Sequence, residues 1–183
     1  MQTARTFYRI DDQLELTYPG TSDAADFYRM VEDNRRVLAQ YFPWTDQFKS
    51  ADDAARFIFD AERYNQGGQK LTLFIRYREN LVGSIAFVNV DRLNKTGELG
   101  FWLVESAQGR GIMSRCCERM LRHGFKLMRL NRIFLQTHID NLPVHRLAER
   151  LRFKREGQLR QAMFLNDAFH DLLLFSILKE DYR

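Results

Sequence analysis

Gln108-Gly109-Arg110-Gly111-Ile112-Met113-Ser114 lies between a run with the bulky and aromatic residues of a strand, Glu98-Leu99-Gly100-Phe101-Trp102-Leu103-Val104, and a segment whose apolar residues recur at helical spacing. In that segment Met113, Cys116, Cys117, Met120, Leu121, Gly124 and Met128 fall on one face, and Arg115, Glu118, Arg119, Arg122 and Lys126 on the other. A glycine-rich turn from strand to helix gathers unpaired backbone N–H groups at the helix N-terminus, where an anion is favoured. Gly109 and Gly111 remove the Cβ atoms that would hold a phosphate off the main chain, and Arg110 adds positive charge. Ordinary tight turns also carry a short Gly-x-Gly, so the loop alone leaves both readings open.

Upstream of the loop, residues 6–18 read as extended, and Pro19-Gly20-Thr21-Ser22-Asp23 supplies a turn and a candidate N-cap for a helix over 23–40. Pro43 and Trp44 interrupt that pattern. Ser50 offers the next cap, and Ala54, Phe57, Ile58 and Ala61 recur at helical spacing until Gly67-Gly68 stop the helix. The period then changes, and 71–75 with 81–90 read as a hairpin about Glu79-Asn80. Downstream, 133–138 reads as a strand, 142–151 as a short helix, and 153–164 with 171–178 as a closing hairpin about Asn166-Asp167. Strands with helices inserted between them predict an α/β (α+β) fold, a mixed sheet covered by helices with a crevice where neighbouring strands diverge. No linker or repeat divides the chain, so one domain is expected over 1–183.

Composition narrows the function classes. The chain has 183 residues, 45% of them hydrophobic, with 15 phenylalanines and 3 prolines, which supplies a sizeable core and argues against disorder. Lys plus Arg exceed Asp plus Glu by 28 to 24, a net charge of +4 that suits an anionic ligand or an acidic partner. Basic blocks interleaved with stacking aromatics are missing, so no nucleic-acid role is expected. Residues 1–12 mix charges with aromatics, which predicts neither a signal peptide nor a membrane anchor and places the chain in the cytoplasm. The two cysteines, Cys116 and Cys117, are neighbours without metal-ligand spacing and read as reduced core thiols; no metal site is expected.

The loop resembles the Gln/Arg-x-x-Gly-x-Gly/Ala signature of GNAT acetyltransferases, with Met113 in place of the final small residue. The surroundings resemble the branch that acetylates serine or alanine of ribosomal proteins. The likeness runs through Asn94-Lys95-Thr96, Glu98 to Leu103, Glu105-Ser106, Leu130-Asn131-Arg132, Asp140-Asn141, Glu156-Gly157, Leu165-Asn166 and His170-Asp171, and covers at least 82–182, with Pro43-Trp44 a weaker match. The resemblance implies a GNAT-type, mostly antiparallel central sheet with helices on both faces and splayed strands forming a cofactor crevice. It implies acetyl-coenzyme A as donor, its pyrophosphate held by Gln108, Gly109, Arg110, Gly111, Ile112, Met113 and Ser114. Its pantetheine arm would pair with the backbone of Phe101, Trp102, Leu103 and Val104 like an added strand and hydrogen-bond Asn141. The implied acceptor is a primary amine, either the α-amine of a ribosomal or other polypeptide or, alternatively, a polyamine, amino sugar or antibiotic.

Such a transfer requires an ammonium to lose a proton, a developing oxyanion to be held and a thiolate to be protonated. Glu98, at the start of the strand, is the candidate base, with a solvated carboxylate as the plain alternative. Strand N–H groups such as those of Trp102 or Leu103 are candidate oxyanion donors. Asn141 reads equally as a helix N-cap. Two positions depart from the branch: Val144 stands where a serine commonly helps protonate the thiolate, and Met163 where related enzymes can carry a glutamate base. His138 or His145 are the candidate substitutes, His138 being the one placed in the site. No activated nucleophile is visible, which favours direct attack in a ternary complex, and the two departures also fit a noncatalytic acetyl-coenzyme A-binding regulator. Trp44 reads as lining the acceptor mouth or as closing the helical layer. Exposed edge strands and the aromatic closing hairpin are compatible with a homodimer.

Overall fold

Eight strands form one sheet in the order β1-β2-β3-β4-β5-β6-β8-β7, and short local signals set most of its connections. The computed structural model describes residues 6–68 and 70–182; the first five positions of the 1–12 stretch lie outside it. Residues 6–18 form a hairpin rather than one extended run: β1 (Thr6–Arg9) pairs antiparallel with β2 (Leu14–Thr17). The cause is Asp11, whose Oδ1 accepts from the backbone N–H of Gln13 (2.8 Å) and Leu14 (3.0 Å) and bends the chain back. Two-residue turns with both central residues at positive φ join β3 (Leu71–Tyr77) to β4 (Asn80–Asp91) and β7 (Lys154–Leu165) to β8 (Ala168–Leu178). The second turn is Asn166-Asp167, as expected. The first is Arg78-Glu79, one residue earlier than Glu79-Asn80, because Tyr77 and Asn80 are the closing pair.

The helical layer also differs in detail. The 23–40 stretch forms two helices, α1 (Ala24–Asp33) and α2 (Arg35–Leu38), divided at Asn34. The Asn34 side-chain amide donates to the Met30 carbonyl at 2.9 Å, a competing bond of the kind that bends or ends helices. α3 (Ala51–Gly67) begins where Ser50 accepts from the Asp53 N–H, Asp53 accepts in return from Lys49 N, and Gly68, at φ 64°, ends it. α1 and α3 cover one face of the sheet, with the Phe27 ring stacked on Phe57 and Phe74 at 5.2 and 5.0 Å. α4 (Ile112–Lys126) covers the other face. Its Gly124 is required by close approach, since a Cβ there would lie 2.7 Å from Ile133 and 2.9 Å from Phe87. α5 (Leu142–Arg150) shares that side, with the His145 ring 5.7 Å from Phe175. Phe27, Phe74 and Phe87 are fully buried, each burial stabilising by roughly 1.5–3 kcal/mol.

β5 (Thr96–Leu103) and β6 (Arg132–His138) supply the geometry that matters for function. They are parallel neighbours only through Thr96–Arg132, Gly97–Ile133 and Glu98–Phe134. β6 then stays paired with β8 along its whole length, and β5 stays paired with β4. The two strands therefore diverge beyond Glu98, and the β6-facing backbone of Leu99 to Leu103 has no strand partner among the described residues. At the sheet's far edges lie β1 and β7, and Phe164 and Phe169 near the closing turn, their rings 5.0 Å apart and tilted by 56°, are exposed.

The N-terminal hairpin is clamped to α4 by Tyr8, whose hydroxyl is hydrogen-bonded to His123 Nδ1 at 2.7 Å while the Arg119 guanidinium lies 3.8 Å over the Tyr8 ring. Burial, and secondarily the charge of Arg119, push the His123 pKa below its ordinary value. The folded chain therefore holds this ring neutral where the unfolded chain protonates it. Stability from this group is fully present above about pH 6.5 and declines as pH falls below that. The thermal midpoint is expected to fall less between pH 7 and pH 5 in His123→Gln, which keeps an acceptor for Tyr8, than in the parent chain. Identical acid profiles in thermal melts would remove His123 as a source of acid sensitivity.

Candidate active site

The divergence of β5 and β6 opens a cavity of about 810 Å³ that continues across the sheet face beneath α3. Glu98, Phe101, Trp102, His138 and Asn141 all line it. So do the two departures, Val144 and Met163, which makes apolar the wall where a hydroxyl and a carboxylate would otherwise stand. Leu103, Val104 and the 108–114 loop do not line it; Leu103 ends β5, and Val104 and the loop lie beyond it, where the chain turns into α4.

Glu98 is half-buried and accepts from Asn89 Nδ2 at 2.6 Å, a bond that fixes the direction of its carboxylate. A bulge between Phe87 and Asn89 brings the donor beside it. His138 is held by both ring nitrogens. The Asp140 N–H lies 3.2 Å from Nδ1, so Nδ1 is the acceptor and Nε2 carries the proton. Nε2–H then donates to His170 Nδ1 at 3.0 Å, and His170 Nε2–H donates to the Leu165 carbonyl at 3.0 Å. His138 can exchange a proton with a bound molecule only by giving up one of these bonds. His145 faces elsewhere, 3.2 Å from the His138 carbonyl.

Asn141 occupies the N-cap position of α5 yet makes no capping bond with its side chain. Its amide lines the cavity. Trp44 closes the helical layer, packing 5.8 Å from Trp102 and 5.6 Å from Phe48, and also borders the cavity. Cys116 and Cys117 are buried free thiols, Cys116 pushed up to about 12 and Cys117 also well above its ordinary value, by burial first. Both are inert core.

At the start of α4, Gly109 and Gly111 have φ of 73° and 70°, and no atom lies within 4 Å of where their Cβ atoms would stand. Gly111 is the N-cap, and no side chain caps the helix, so the first-turn N–H groups face open space. Arg110 is exposed beside them, and Gln108 Nε2 donates to the Leu103 carbonyl at 3.1 Å, tying the loop to β5. Arg150 of α5 reaches Ser114 Oγ at 3.1 Å and adds a second cation at this helix end. Sequence reading missed Arg150, which lies 36 residues from its partner. It also missed Tyr41, whose ring is 6.0 Å from His138, and the α3 face of Phe57, Asp60, Ala61 and Tyr64 as a cavity wall. The latent signal for that wall was the run of small residues opposite, Ser84, Ala86 and Gly100.

Among the described residues no cluster of three metal-ligating side chains occurs, and no helix is long and apolar enough to cross a membrane. A family model of the acetyltransferase (GNAT) domain matches residues 13–154. A ribosomal-protein-serine acetyltransferase of Escherichia coli is 31% identical over 168 residues, spanning 92% of this chain and 94% of that protein. Among solved structures, the ribosomal alpha-N-protein acetyltransferase RimL in complex with coenzyme A has a TM-score of 0.91 at 25% identity, over 94% of this chain and 98% of that one. The microcin C7 self immunity acetyltransferase MccE in complex with acetyl-CoA and AMP has a TM-score of 0.87 at 27% identity, over 92% and 94% of the two chains.

Proposed function

The chain belongs to the GNAT acetyltransferase family and is an N-acetyltransferase that uses acetyl-coenzyme A, and we propose that its acceptor is the α-amine at a polypeptide N-terminus. The observation that carries the reading is the divergence of β5 from β6 beyond Glu98, which leaves strand-type donors and acceptors unpaired along one wall of a cavity. An extended polar ligand can pair there as a further strand would. The loop end fits the other half of the donor: two glycines at positive φ with open space beside them, uncapped N–H groups, and Arg110 and Arg150 for a pyrophosphate.

Bound acetyl-coenzyme A supplies an acetyl group already activated as a thioester. The chain's own part is to place the amine and move protons. Glu98, positioned by its hydrogen bond from Asn89, accepts the proton of the acceptor ammonium, directly or through a water. The backbone N–H of Leu103, on the side of β5 away from β4, faces the developing negative charge on oxygen; that of Trp102 points to β4, in the same alternation that sends the Val104 N–H to the Val82 carbonyl, and is not a donor here. Asn141 is free to hold the arm of the donor because its amide caps nothing. His138 forms the wall and keeps its protons within the histidine pair. With Val144 and Met163 apolar, solvent is left to protonate the departing thiolate.

The polypeptide acceptor follows from the length of the cavity. Its wall on α3 runs from Asp53 to Tyr64, about 16 Å of helix at 1.5 Å per residue. That length suits several residues of extended chain. Calorimetric titration with acetyl-coenzyme A, then thiol release against peptides and free amines in the same preparation, tests the reading. Tight binding with faster release from peptides is expected. Release from polyamines or amino sugars alone would overturn the polypeptide acceptor.

A further inference from the structure

Beyond the β5–β6 gap, the cavity has a second compartment whose chemistry has not been used so far. Its floor is a patch of small side chains on neighbouring strands: Thr72 lies opposite Ala86, Ala86 opposite Gly100, and Ser84 comes next along β4. Its roof is the α3 face carrying Phe57 and Tyr64, and Phe27, Phe48 and Trp102 close its inner end. Large side chains above and small ones below leave space where a sheet–helix interface is normally filled.

Apart from the Thr72 hydroxyl in the floor, the compartment's polar side chains are spent or at its exposed margin. Ser84 Oγ donates to the Leu73 carbonyl at 3.0 Å. Asp53 accepts from Lys49 N, Ser50 and Arg56 and is held ionised, at about 2, chiefly by the Lys49 N–H. Arg56 and Asp60 are 76% and 54% exposed, and Lys70 is exposed with its ammonium 5.0 Å over the Tyr64 ring. The buried end, by contrast, is made of rings that are 1–9% exposed. A hydroxyl or a second ammonium placed among those rings, past the Thr72 hydroxyl, would lose its hydration without a partner, whereas an apolar side chain would lose only its contact with water.

We propose that this compartment selects acceptors whose amine-bearing residue carries a large apolar side chain, leucine or phenylalanine at a polypeptide N-terminus, over serine or a polyamine. The inference rests on the acetyl-transfer reading above and assigns the acceptor class of that same site. Glu98 stands at one end of the patch, across β5 from Asn89 and one pleat from Gly100. The floor runs from Glu98 past Gly100 to Trp102 along β5, so the compartment is within reach of the side chain next to an amine held at Glu98.

Both tryptophans of the chain, Trp44 and Trp102, border the cavity, so intrinsic fluorescence reports its occupancy without turnover. The test uses peptides identical except for residue 1, bearing Leu, Phe, Ala or Ser, titrated against the chain with and without coenzyme A and then assayed for thiol release with acetyl-coenzyme A. Leu and Phe peptides are expected to shift the fluorescence at lower concentration and to exceed the Ser peptide in kcat/KM by about tenfold or more. Ala86→Leu fills the floor and is expected to shrink that ratio toward one, with calorimetric binding of acetyl-coenzyme A verifying that the variant is folded. A flat peptide series, a preference for Ser, or spermidine outpacing the Leu peptide would overturn the proposal, and the parent-chain series decides it without the variant. Absence of thiol release from every acceptor would instead sink the acetyl-transfer reading itself.

Discussion

Glu98→Gln is expected to release thiol at about one hundredth of the parent rate or less while binding acetyl-coenzyme A with the same affinity. The size follows from the loss of one proton-transfer group, typically a hundredfold or more, or about 2.7 kcal/mol of barrier. The specificity of the effect follows from geometry. Glu98 is the last β5 residue paired with β6, so it stands where the sheet opens rather than along the wall that would hold the donor arm. Glutamine preserves its length and can still meet Asn89, now as a neutral partner, which isolates the proton-accepting function from the shape of the site. The apolar character of Val144 and Met163 sharpens the expectation, since neither can take over the proton. His138 is the nearest titratable alternative, and both of its ring nitrogens are already engaged. Single-turnover thiol release at saturating peptide is the measurement. Unchanged release across pH 6 to 9 would remove Glu98 as the base.

The features legible in the sequence share one property: their cause lies within a few residues. Ser50 with Asp53 declared the start of α3, Gly68 its end, and Asn166-Asp167 the closing turn, each through local backbone chemistry. The glycine loop was legible for the same reason. The Arg78-Glu79 turn was not, because neither residue favours positive φ on its own; the pairing of β3 with β4 imposes it. The break at Asn34 was hidden because a helical asparagine commonly points to solvent, and only the folded chain shows its amide on the Met30 carbonyl.

The glycine loop at the head of α4 was legible and the cavity beneath α3 was obscure for a related reason. Phe57 and Ala61 recur at helical spacing whether they meet a filled core or a hollow one. Which of these applies depends on Thr72, Ala86 and Gly100, three residues on three strands that only sheet register places together. The same holds for His138 and His170, 32 positions apart, whose mutual bond turns a candidate proton carrier into a fixed wall. Helical periodicity identifies the buried face of α3, and the sizes of residues on other elements decide whether that face encloses a cavity.

Gly111→Val is expected to weaken acetyl-coenzyme A by about tenfold or more, with a much smaller effect on folding. Gly111 sits at φ 70° as the N-cap of α4, and a Cβ there would meet nothing within 4 Å. The obstacle to a side chain is therefore conformational rather than steric. An L-residue in the left-handed region costs about 1–2 kcal/mol, more when it is β-branched, and that cost is relieved if the loop rotates to negative φ. Rotation would turn the first N–H groups of α4 away from the space they share with Arg110 and Arg150. The core below is hardly touched, because Gly111 is exposed and Ile112 anchors the helix from the buried side. A graded series separates this account from simple crowding: asparagine tolerates the left-handed region, alanine does so less well and valine least. The calorimetric dissociation constant should rise in the order Asn, Ala, Val. An affinity that followed side-chain volume instead, with asparagine weaker than alanine, would show that open space rather than backbone conformation is what the loop provides, and equal affinities across the series would remove the loop from the binding site.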